Sequence, residues 1–311
     1  MSRILLTGGA GYVGSVLTEE LLRSGHEIVV YDNFMYKQTS LNHLMHSRRL
    51  EVIKGDIRDL ERIRSQVNWA DIIIPLAAIV GAPACDRDPV TATAINKHAI
   101  VNMFKMVSGS QRVLMPTTNS AYGSGAEDNT CDEDSPLNPI SLYAKDKVEV
   151  EQELMLLPGS TSFRLATVFG MSARMRLDLL VNDFVRRAAI DGFVILFESH
   201  FKRNYIHIRD VAQAFNLAIE DPTNFAGEVF NVGLTSANLS KRELCERIKV
   251  FVPEFVFLES GLRKDPDQRN YFVSNSKIES RGFNPNFSLD DGINELLKGI
   301  PTLSTQLFGN L

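Results

Sequence analysis

Short apolar runs alternate with stretches of helical hydrophobic spacing through the first 170 residues of this 311-residue chain. The run at 70–77 is apolar at nearly every position, which is typical of a strand buried on both faces of a parallel sheet. Strict alternation of strand and helix predicts a doubly wound α/β sheet of the Rossmann type. The predicted strands cover residues 3–7, 26–32, 50–56, 70–77, 112–116 and 161–169, and the predicted helices cover 11–24, 59–67, 89–108 and 141–157.

The alternation weakens after about residue 170, where short helices, loops and isolated strands such as 227–233 follow. We therefore expect a Rossmann domain over residues 1–170 and a smaller C-terminal lobe over residues 171–311. Later strands of the large sheet are expected to come from the second half. A hydrophobic content of 44% is sufficient for a core of this size.

A glycine-rich stretch, LLTGGAGYVGS, occupies residues 5–15 between the first predicted strand and the first predicted helix. Such a turn lets backbone N–H groups approach a phosphate at the positive end of a helix. We expect Gly8 to form the turn, Gly11 to admit a pyrophosphate and Gly14 to allow close packing. An ordinary tight turn is the alternative, but the strand before and the helix after favour dinucleotide binding. The predicted phosphate site comprises Gly8, Gly11, Tyr12, Val13 and Gly14.

Asp32 ends the second predicted strand, eighteen residues after Gly14, where a carboxylate can bind both ribose hydroxyls of a dinucleotide. The same carboxylate repels the 2′-phosphate of NADP, and no arginine follows it, so NAD is favoured. Asp56 and Ile57 follow the third strand, where they either hold the adenine edge or form a plain surface turn. The rest of the predicted cofactor site comprises Asn33, Leu76, Ala77, Ala78, Tyr143 and Lys147.

Tyr143 and Lys147 are four residues apart on a predicted helix, and this spacing places them on one face. A lysine ammonium near a phenol favours the phenolate, which can accept a proton from a sugar hydroxyl as hydride leaves the same carbon. Thr118 follows the fifth strand, 25 residues before Tyr143, and could complete a Thr/Tyr/Lys relay. A chance match of the pair and an ordinary polar loop around Thr118 are the alternatives.

The composition excludes several classes of partner. The formal charge is −5 and there is no basic block, so neither nucleic acid nor an anionic membrane surface is expected as the main partner. The longest apolar stretch, residues 71–84, is too short to span a bilayer, and no signal peptide is recognised. Three widely spaced cysteines and six histidines show no metal-ligand spacing, so we expect reduced thiols, no metal and a cytoplasmic protein.

Taken together, these motifs resemble the extended short-chain dehydrogenases/reductases of the NAD-dependent epimerase/dehydratase family, which act on nucleotide sugars. The shared pattern covers residues 4–147 and includes a Ser or Thr four residues before the Tyr of a YG pair. By matching position, Asn96 is a structural residue beside the cofactor, and Arg203 meets the substrate diphosphate. The resemblance implies that the first domain binds NAD and that the smaller lobe mainly binds a nucleotide sugar.

The chain departs from one branch of the family at the residues after Thr118. In 4,6-dehydratases an Asp-Glu pair there supplies acid and base for water loss, whereas this chain has Asn119 and Ser120. Neither side chain titrates usefully, so dehydration is not expected. The predicted substrate contacts, for which generic surface charge is the alternative at the arginines, are Asn119, Ser120, Arg176, Asn182, Arg203 and Arg269.

Four stretches resemble a narrower group, the GDP-mannoheptose 4-dehydrogenases of capsular heptose synthesis, and they are residues 72–83, 163–170, 175–184 and 265–275. This resemblance implies NAD-dependent oxidation of a GDP-heptose at C4, in surface polysaccharide biosynthesis. A nucleotide-sugar 4-epimerase of the UDP-glucose 4-epimerase type and a 4-keto sugar reductase are the alternatives, because both use the same three residues. A non-catalytic NAD-sensing regulator is disfavoured, since such proteins typically lose the Tyr or the Lys.

Family members commonly form homodimers through the helices that follow the fourth and fifth strands, which here are 89–108 and 141–157. Both helices carry apolar residues that either face a second subunit or belong to the core, and examples are Ile95, Ile100, Met103, Val148 and Leu154. The resemblance therefore implies a homodimer.

Overall fold

The structure, a computed structural model, describes residues 1–123, 130–261 and 270–303. In chain order its strands are β1 (Arg3–Thr7), β2 (Glu27–Asp32), β3 (Leu50–Lys54), β4 (Ile72–Pro75), β5 (Arg112–Thr118), β6 (Thr130–Cys131), β7 (Thr161–Leu165), β8 (Thr167–Phe169), β9 (Phe193–Leu196), β10 (Lys202–His207), β11 (Glu228–Val232), β12 (Asn238–Ser240), β13 (Val256–Glu259) and β14 (Phe272–Val273).

The main sheet has seven parallel strands in the order β11-β7-β5-β4-β1-β2-β3. The strand order reverses between β1 and β4, and such a switch point opens a crevice at the carboxyl ends of the strands. The predicted doubly wound Rossmann fold is confirmed. Strand β11 lies beyond residue 170, so the proposed domain boundary leaves one strand of the main sheet on its far side.

The helices flank the sheet and connect its strands. In chain order they are α1 (Tyr12–Arg23), α2 (Leu60–Trp69), α3 (Ala82–Arg87), α4 (Pro89–Thr93), α5 (Ile100–Phe104), α6 (Leu142–Leu154), α7 (Leu180–Ile190), α8 (Ile208–Glu220), α9 (Pro222–Phe225), α10 (Lys241–Phe251), α11 (Ser276–Ser280) and α12 (Leu289–Gly299). Within the described ranges, no helix has both the length and the apolar character that crossing a bilayer requires.

The predicted helix at 89–108 is interrupted. Residues Ala94–Ala99 form a π-helical turn between α4 and α5, and Asn96 points from this turn into the protein. The Asn96 amide donates to the Ile79 carbonyl and accepts from the Ile79 N–H, so the wider turn lets one side chain satisfy both groups. Hydrophobic spacing does not reveal such an interruption, because the π-helical turn follows α4 and precedes α5 without a break in the helical segment.

The predicted strand at 161–169 is two strands that belong to different sheets. Strand β7 pairs with β5 and β11, whereas β8 pairs with β10 in a three-stranded sheet ordered β12-β10-β8. The change occurs at Ala166, whose N–H donates to the Val232 carbonyl. Two further pairs, β9 with β13 and β6 with β14, complete the small sheets of the described chain.

Successive residues of the main strands enter cores on opposite faces of the sheet. Ile4 and Leu6 pack on the face that carries α1 and α8, and Leu5 packs on the face that carries α2, α5 and α6. This arrangement explains why successive residues within these strands, such as Ile4, Leu5 and Leu6, are apolar. The five apolar residues considered for a dimer interface, Ile95, Ile100, Met103, Val148 and Leu154, are buried within the subunit. Their pattern therefore reflects the core, and the homodimer stays a prediction.

Candidate functional site

A cavity of about 340 Å³ opens at the carboxyl ends of the main strands, at the switch point of the sheet. Its size and position are typical of a ligand site in an open α/β sheet. Most of the residues selected from the sequence line it, and these are Gly8, Gly11, Tyr12, Val13, Gly14, Asp32, Asn33, Asp56, Ile57, Leu76, Ala77, Ala78, Thr118, Ser120, Tyr143, Lys147 and Arg176.

The glycine-rich turn between β1 and α1 forms the floor of this cavity. Gly8 has φ +71°, and a Cβ built on it would lie 2.6 Å from the Ala77 nitrogen. A Cβ on Gly14 would lie 2.4 Å from the Gly8 carbonyl oxygen, so the turn and the helix touch backbone to backbone. Gly11 caps α1 without a side-chain hydrogen bond, and the first turn of α1 holds no acidic residue. The positive end of the helix therefore faces the cavity open to an anion.

Asp32 is buried at the end of β2, and three groups of the chain donate to its carboxylate. The N–H of Ala10 reaches Oδ2 at 3.0 Å, and the N–H of Phe34 and the Gln38 amide reach Oδ1 at 2.8 and 3.3 Å. Burial raises the pKa of Asp32, and these hydrogen bonds oppose that rise. Because a carboxylate has about four acceptor positions, Asp32 can take one further hydroxyl, and a second requires Gln38 to move.

Two other predicted cofactor residues, Asp56 and Asn96, are hydrogen-bonded to groups of the protein itself. The Asp56 carboxylate accepts two hydrogen bonds from the Arg58 guanidinium, which lower its pKa, so this side chain is engaged at the rim of the cavity. Asn96 lies behind the cavity wall and holds Ile79, whose segment follows β4 and lines the cavity. Asn96 thus supports the wall without belonging to it.

Tyr143 and Lys147 share one face of α6 at the end of the cavity opposite Asp32. The Lys147 Nζ lies 6.0 Å from the centroid of the Tyr143 ring and donates to the Pro116 carbonyl at 3.3 Å. Burial lowers the pKa of Lys147 to about 8. The neighbouring Thr118 hydroxyl donates to the Ser120 hydroxyl at 2.9 Å and accepts from the Ser120 N–H at 3.1 Å.

Three predicted substrate residues lie outside the cavity lining, and Arg269 lies outside the described residues. Asn119 is fully buried, and neither of its amide atoms has a hydrogen-bond partner in the part of the chain that the structure describes. Arg203 is buried on β10, where its guanidinium donates to the Lys202 carbonyl. For both residues, contact with a substrate stays a prediction.

Asn182 makes contacts that the sequence pattern does not reveal. Its amide accepts from the Gly170 N–H and donates to the Tyr12 hydroxyl and the Arg176 carbonyl. The Tyr12 hydroxyl in turn donates to the Gly170 carbonyl at 2.7 Å. Asn182 therefore ties the segment after β8 to helix α1, and a substrate contact would require one of these bonds to break.

Two arginines enter the cavity from the segment between β8 and α7. Arg176 is buried and forms a bidentate pair with Asp178, with its Nε 2.9 Å from Oδ1. The Arg174 guanidinium lies 4.7 Å from the centroid of the Tyr36 ring, and Tyr36 comes from the loop after β2. Arg174 and Tyr36 therefore meet across the cavity from opposite sides, which is a contact between segments 138 residues apart.

No metal site accompanies this cavity in residues 1–123, 130–261 and 270–303, where no three His, Cys, Asp or Glu side chains are placed to hold an ion. The three cysteines are buried and are not joined in disulfides. The polar groups of the cavity are backbone and side-chain amides, hydroxyls, phenols, carboxylates, the Lys147 amine and two guanidinium groups.

Comparison with known proteins agrees with this geometry. The family model described as NAD dependent epimerase/dehydratase family matches residues 4–233. The chain belongs to this family. The family depends on NAD, and NAD is the cofactor of this chain.

Two relatives match this chain over nearly its whole length. UDP-N-acetyl-alpha-D-glucosaminuronate decarboxylase of Bacillus cytotoxicus is 28% identical over 95% of this chain and 97% of its own length. UDP-glucose 4-epimerase of Mycolicibacterium smegmatis is 28% identical over 94% of this chain and 96% of its own length. The crystal structure of Thermus thermophilus UDP-glucose 4-epimerase in complex with NAD has a TM-score of 0.83 at 23% identity, covering 97% of this chain and all of that chain, and it supports the fold.

The residues that line the cavity are chemically suited to the groups of NAD. The N-terminus of α1, where Gly11 has no side chain to cap the helix, suits a pyrophosphate. The remaining acceptor position of the Asp32 carboxylate suits a ribose hydroxyl. Tyr143 and Lys147 line the same cavity as these groups. The sequence analysis did not select Tyr36, Gln38 or Ser141, although they also line the cavity. No local pattern marks Tyr36 and Gln38, because their position depends on how the loop after β2 folds over the strand ends. Ser141, by contrast, is the N-cap of α6 and accepts from the Ala144 N–H, which is a local signal.

Proposed function

We propose that this chain oxidises a nucleotide sugar at C4, with Tyr143 as the proton acceptor. One observation carries the proposal. The glycine turn at Gly8–Gly14 and Asp32, which suit a dinucleotide, line the same cavity as the Tyr143–Lys147 pair. NAD held by the glycine turn and Asp32 would supply the hydride acceptor for the sugar carbon that carries the hydroxyl. The remaining task of the protein is to remove the hydroxyl proton and to hold the sugar in place.

The three predicted catalytic residues divide this task. The Tyr143 oxygen, as phenolate, takes the proton of the C4 hydroxyl, and the nearby Lys147 ammonium stabilises that phenolate. The Thr118 hydroxyl donates a hydrogen bond to Ser120 in the structure. In the proposed complex it rotates to hydrogen-bond with the sugar hydroxyl and orients it. Asn119 and Ser120 cannot serve as an acid–base pair, so elimination of water is not part of the proposal.

Replacement of Tyr143 by Phe tests this assignment. Tyr143→Phe removes only the phenolic oxygen, so we expect kcat to fall by about 10²–10⁴-fold, the usual contribution of a positioned proton acceptor. NAD affinity, measured by fluorescence titration, should change little. Turnover is followed as NADH absorbance and product NMR with a panel of GDP-, UDP-, CDP- and dTDP-sugars. Near-normal turnover by the variant would refute the role of Tyr143.

For the substrate, we propose a GDP-heptose or a close relative, oxidised and released as the 4-keto sugar for surface polysaccharide synthesis in the cytoplasm. The four stretches that resemble GDP-mannoheptose 4-dehydrogenases support this choice, and one of them, residues 175–184, contains Arg176 at the cavity. The panel tests the choice directly, because a preference for UDP-sugars over GDP-sugars would contradict it.

A nucleotide-sugar 4-epimerase is the second candidate, and the relatives named UDP-glucose 4-epimerase favour it. An epimerase performs the same oxidation, but the ketosugar rotates and the hydride returns to the opposite face. A 4-keto sugar reductase would run the same step in reverse. Product analysis with stoichiometric NAD separates them, since a C4 epimer without net NADH identifies an epimerase. A stable 4-keto product with equimolar NADH identifies a dehydrogenase.

A further inference from the structure

A buried carboxylate lies on helix α6, one turn beyond Lys147 and two turns beyond Tyr143. The spacing 143, 147 and 151 places Glu151 on the same face as the two proposed catalytic residues. Its side chain is only 6% exposed, so its charge must be compensated inside the protein. The established NAD dependence and the proposed chemistry give this residue no role.

Hydrogen bonds from two strands satisfy the Glu151 carboxylate. The Thr117 hydroxyl donates from β5 to Oε2 at 2.8 Å, and the Ser162 hydroxyl donates from β7 to the same oxygen at 2.6 Å. The Arg164 guanidinium, also on β7, donates to Oε1 through Nε at 3.0 Å and through Nη2 at 2.6 Å. The buried carboxylate is therefore fixed by charge and by geometry at once.

The network continues from Arg164 to the turn after Thr118. The Arg164 Nη1 donates to the Tyr122 hydroxyl at 3.0 Å, and that hydroxyl donates to Asn231 on β11 at 2.7 Å. Tyr122 lies in the 3₁₀ turn Asn119–Tyr122, which begins directly after Thr118. Thr118 thus lies between Thr117, which bonds directly to Glu151, and Tyr122, which accepts from the Arg164 that Glu151 binds.

Helix α6 is attached to the end of β5 at two successive residues. Lys147 donates to the Pro116 carbonyl, and Glu151 accepts from the Thr117 hydroxyl. The next residue along β5 is Thr118. These two hydrogen bonds fix the position of α6 along its axis and its rotation about that axis relative to β5. They therefore set the distance between Tyr143 and Thr118.

We propose that Glu151 is a positioning residue, which through Thr117 sets the register of α6 against β5 and so places Tyr143 and Lys147 opposite Thr118. This inference rests on the proposed function, because it assumes that these three residues meet the substrate. Small displacements of a reacting group cost large factors in rate, so a loosened register lowers kcat before it weakens binding.

Two single-hydroxyl deletions on the same carboxylate oxygen test the proposal. Thr117→Val removes the bond from Glu151 to β5, and Ser162→Ala removes a comparable bond to β7, which carries no proposed catalytic residue. The two hydroxyls also lie 2.9 Å apart, and because both variants lose this contact, it does not account for a difference between them. Each should lower the unfolding temperature by a similar amount, because each removes one buried hydrogen bond. We expect Thr117→Val to lower kcat about 10-fold or more with KM and the NAD dissociation constant nearly unchanged. Ser162→Ala should keep kcat within about two-fold, and Thr117→Ser should restore it.

The measurements are kcat and KM with the best substrate of the sugar-nucleotide panel, NAD affinity by fluorescence titration and thermal unfolding. Equal losses of kcat in Thr117→Val and Ser162→Ala would overturn the proposal, because they would indicate a general packing role. Failure of Thr117→Ser to restore kcat would also overturn it. The proposed function fails separately, if Tyr143→Phe retains activity or if no panel sugar is oxidised.

Discussion

Lys147 is the residue at which burial and the proposed chemistry conflict. Its pKa is lowered to about 8 by desolvation, so below pH 8 the folded protein holds a buried ammonium at a cost. The folded state then binds this proton less tightly than the unfolded state, where a lysine titrates at about 10.4. This group therefore makes stability rise with pH between about 8 and about 10, and it disfavours folding at neutral pH. The proposed Tyr143 phenolate requires the positive charge of Lys147 nearby, so the proposed chemistry favours a charge that burial disfavours.

We expect Lys147→Met to abolish turnover and to stabilise the cofactor-free protein by about 1–3 kcal/mol at pH 7, because it removes the buried charge. The advantage should shrink at pH 9, where the wild-type amine is already neutral. Thermal unfolding of both proteins at the two pH values measures this. A variant that is less stable than wild type at pH 7 would show that the bond to Pro116 outweighs the charge.

At the scale of elements, the close contact between the β1–α1 turn and helix α1 shapes the turn that we expect to hold NAD. A Cβ on Gly14 would meet the Gly8 carbonyl oxygen at 2.4 Å and the Gly9 Cα at 2.7 Å, and backbone atoms cannot move aside cheaply. Gly14→Ala should therefore push α1 away from the turn, lowering stability by about 1–3 kcal/mol and weakening NAD binding at least about 10-fold.

The matched control for this change is Gly109→Ala, since a Cβ there would meet no atom within 4 Å. This variant should unfold at the wild-type temperature and bind NAD normally in fluorescence titration. If Gly14→Ala behaves in the same way as the control, the close packing of α1 on the turn is not what shapes it to hold NAD.

At the scale of the whole molecule, the expected homodimer needs an interface that the buried residues of α5 and α6 do not provide. Beside these helices, Val90 is 80% exposed and Leu156 is 76% exposed, and a second subunit could cover them. We expect light scattering at micromolar concentration to give about twice 34.7 kDa. Val90→Glu or Leu156→Glu should shift the mass towards the monomer, because a charge would be buried at the interface.

Phe193→Glu is the comparison variant, because Phe193 is also exposed but lies on the small β9–β13 sheet, away from both helices. Dissociation by Phe193→Glu alone would place the interface on that sheet. A monomeric wild-type protein would contradict the homodimer itself.

Much of the fold and part of the site follow from local sequence patterns. Ile4, Leu5 and Leu6 are apolar on both faces of a strand, and this pattern is possible only in a sheet covered on both sides. The glycine spacing at residues 8–14 and the four-residue spacing of Tyr143 and Lys147 depend only on the geometry of a turn and a helix. Each of these features brings together residues that are close in sequence.

Other features depended on contacts between distant parts of the chain. The split at Ala166 follows from which strands β7 and β8 pair with, and no residue of 161–169 encodes that choice alone. Asn182 meets Tyr12 across 170 residues, and Glu151 meets Thr117 only because α6 packs on the end of β5. The sequence by itself determined the Rossmann pattern, the glycine turn after β1 and the shared helix face of Tyr143 and Lys147, because these are local. Only the tertiary structure decided which buried polar groups hold them in register, because a buried hydrogen bond is specified by both partners together.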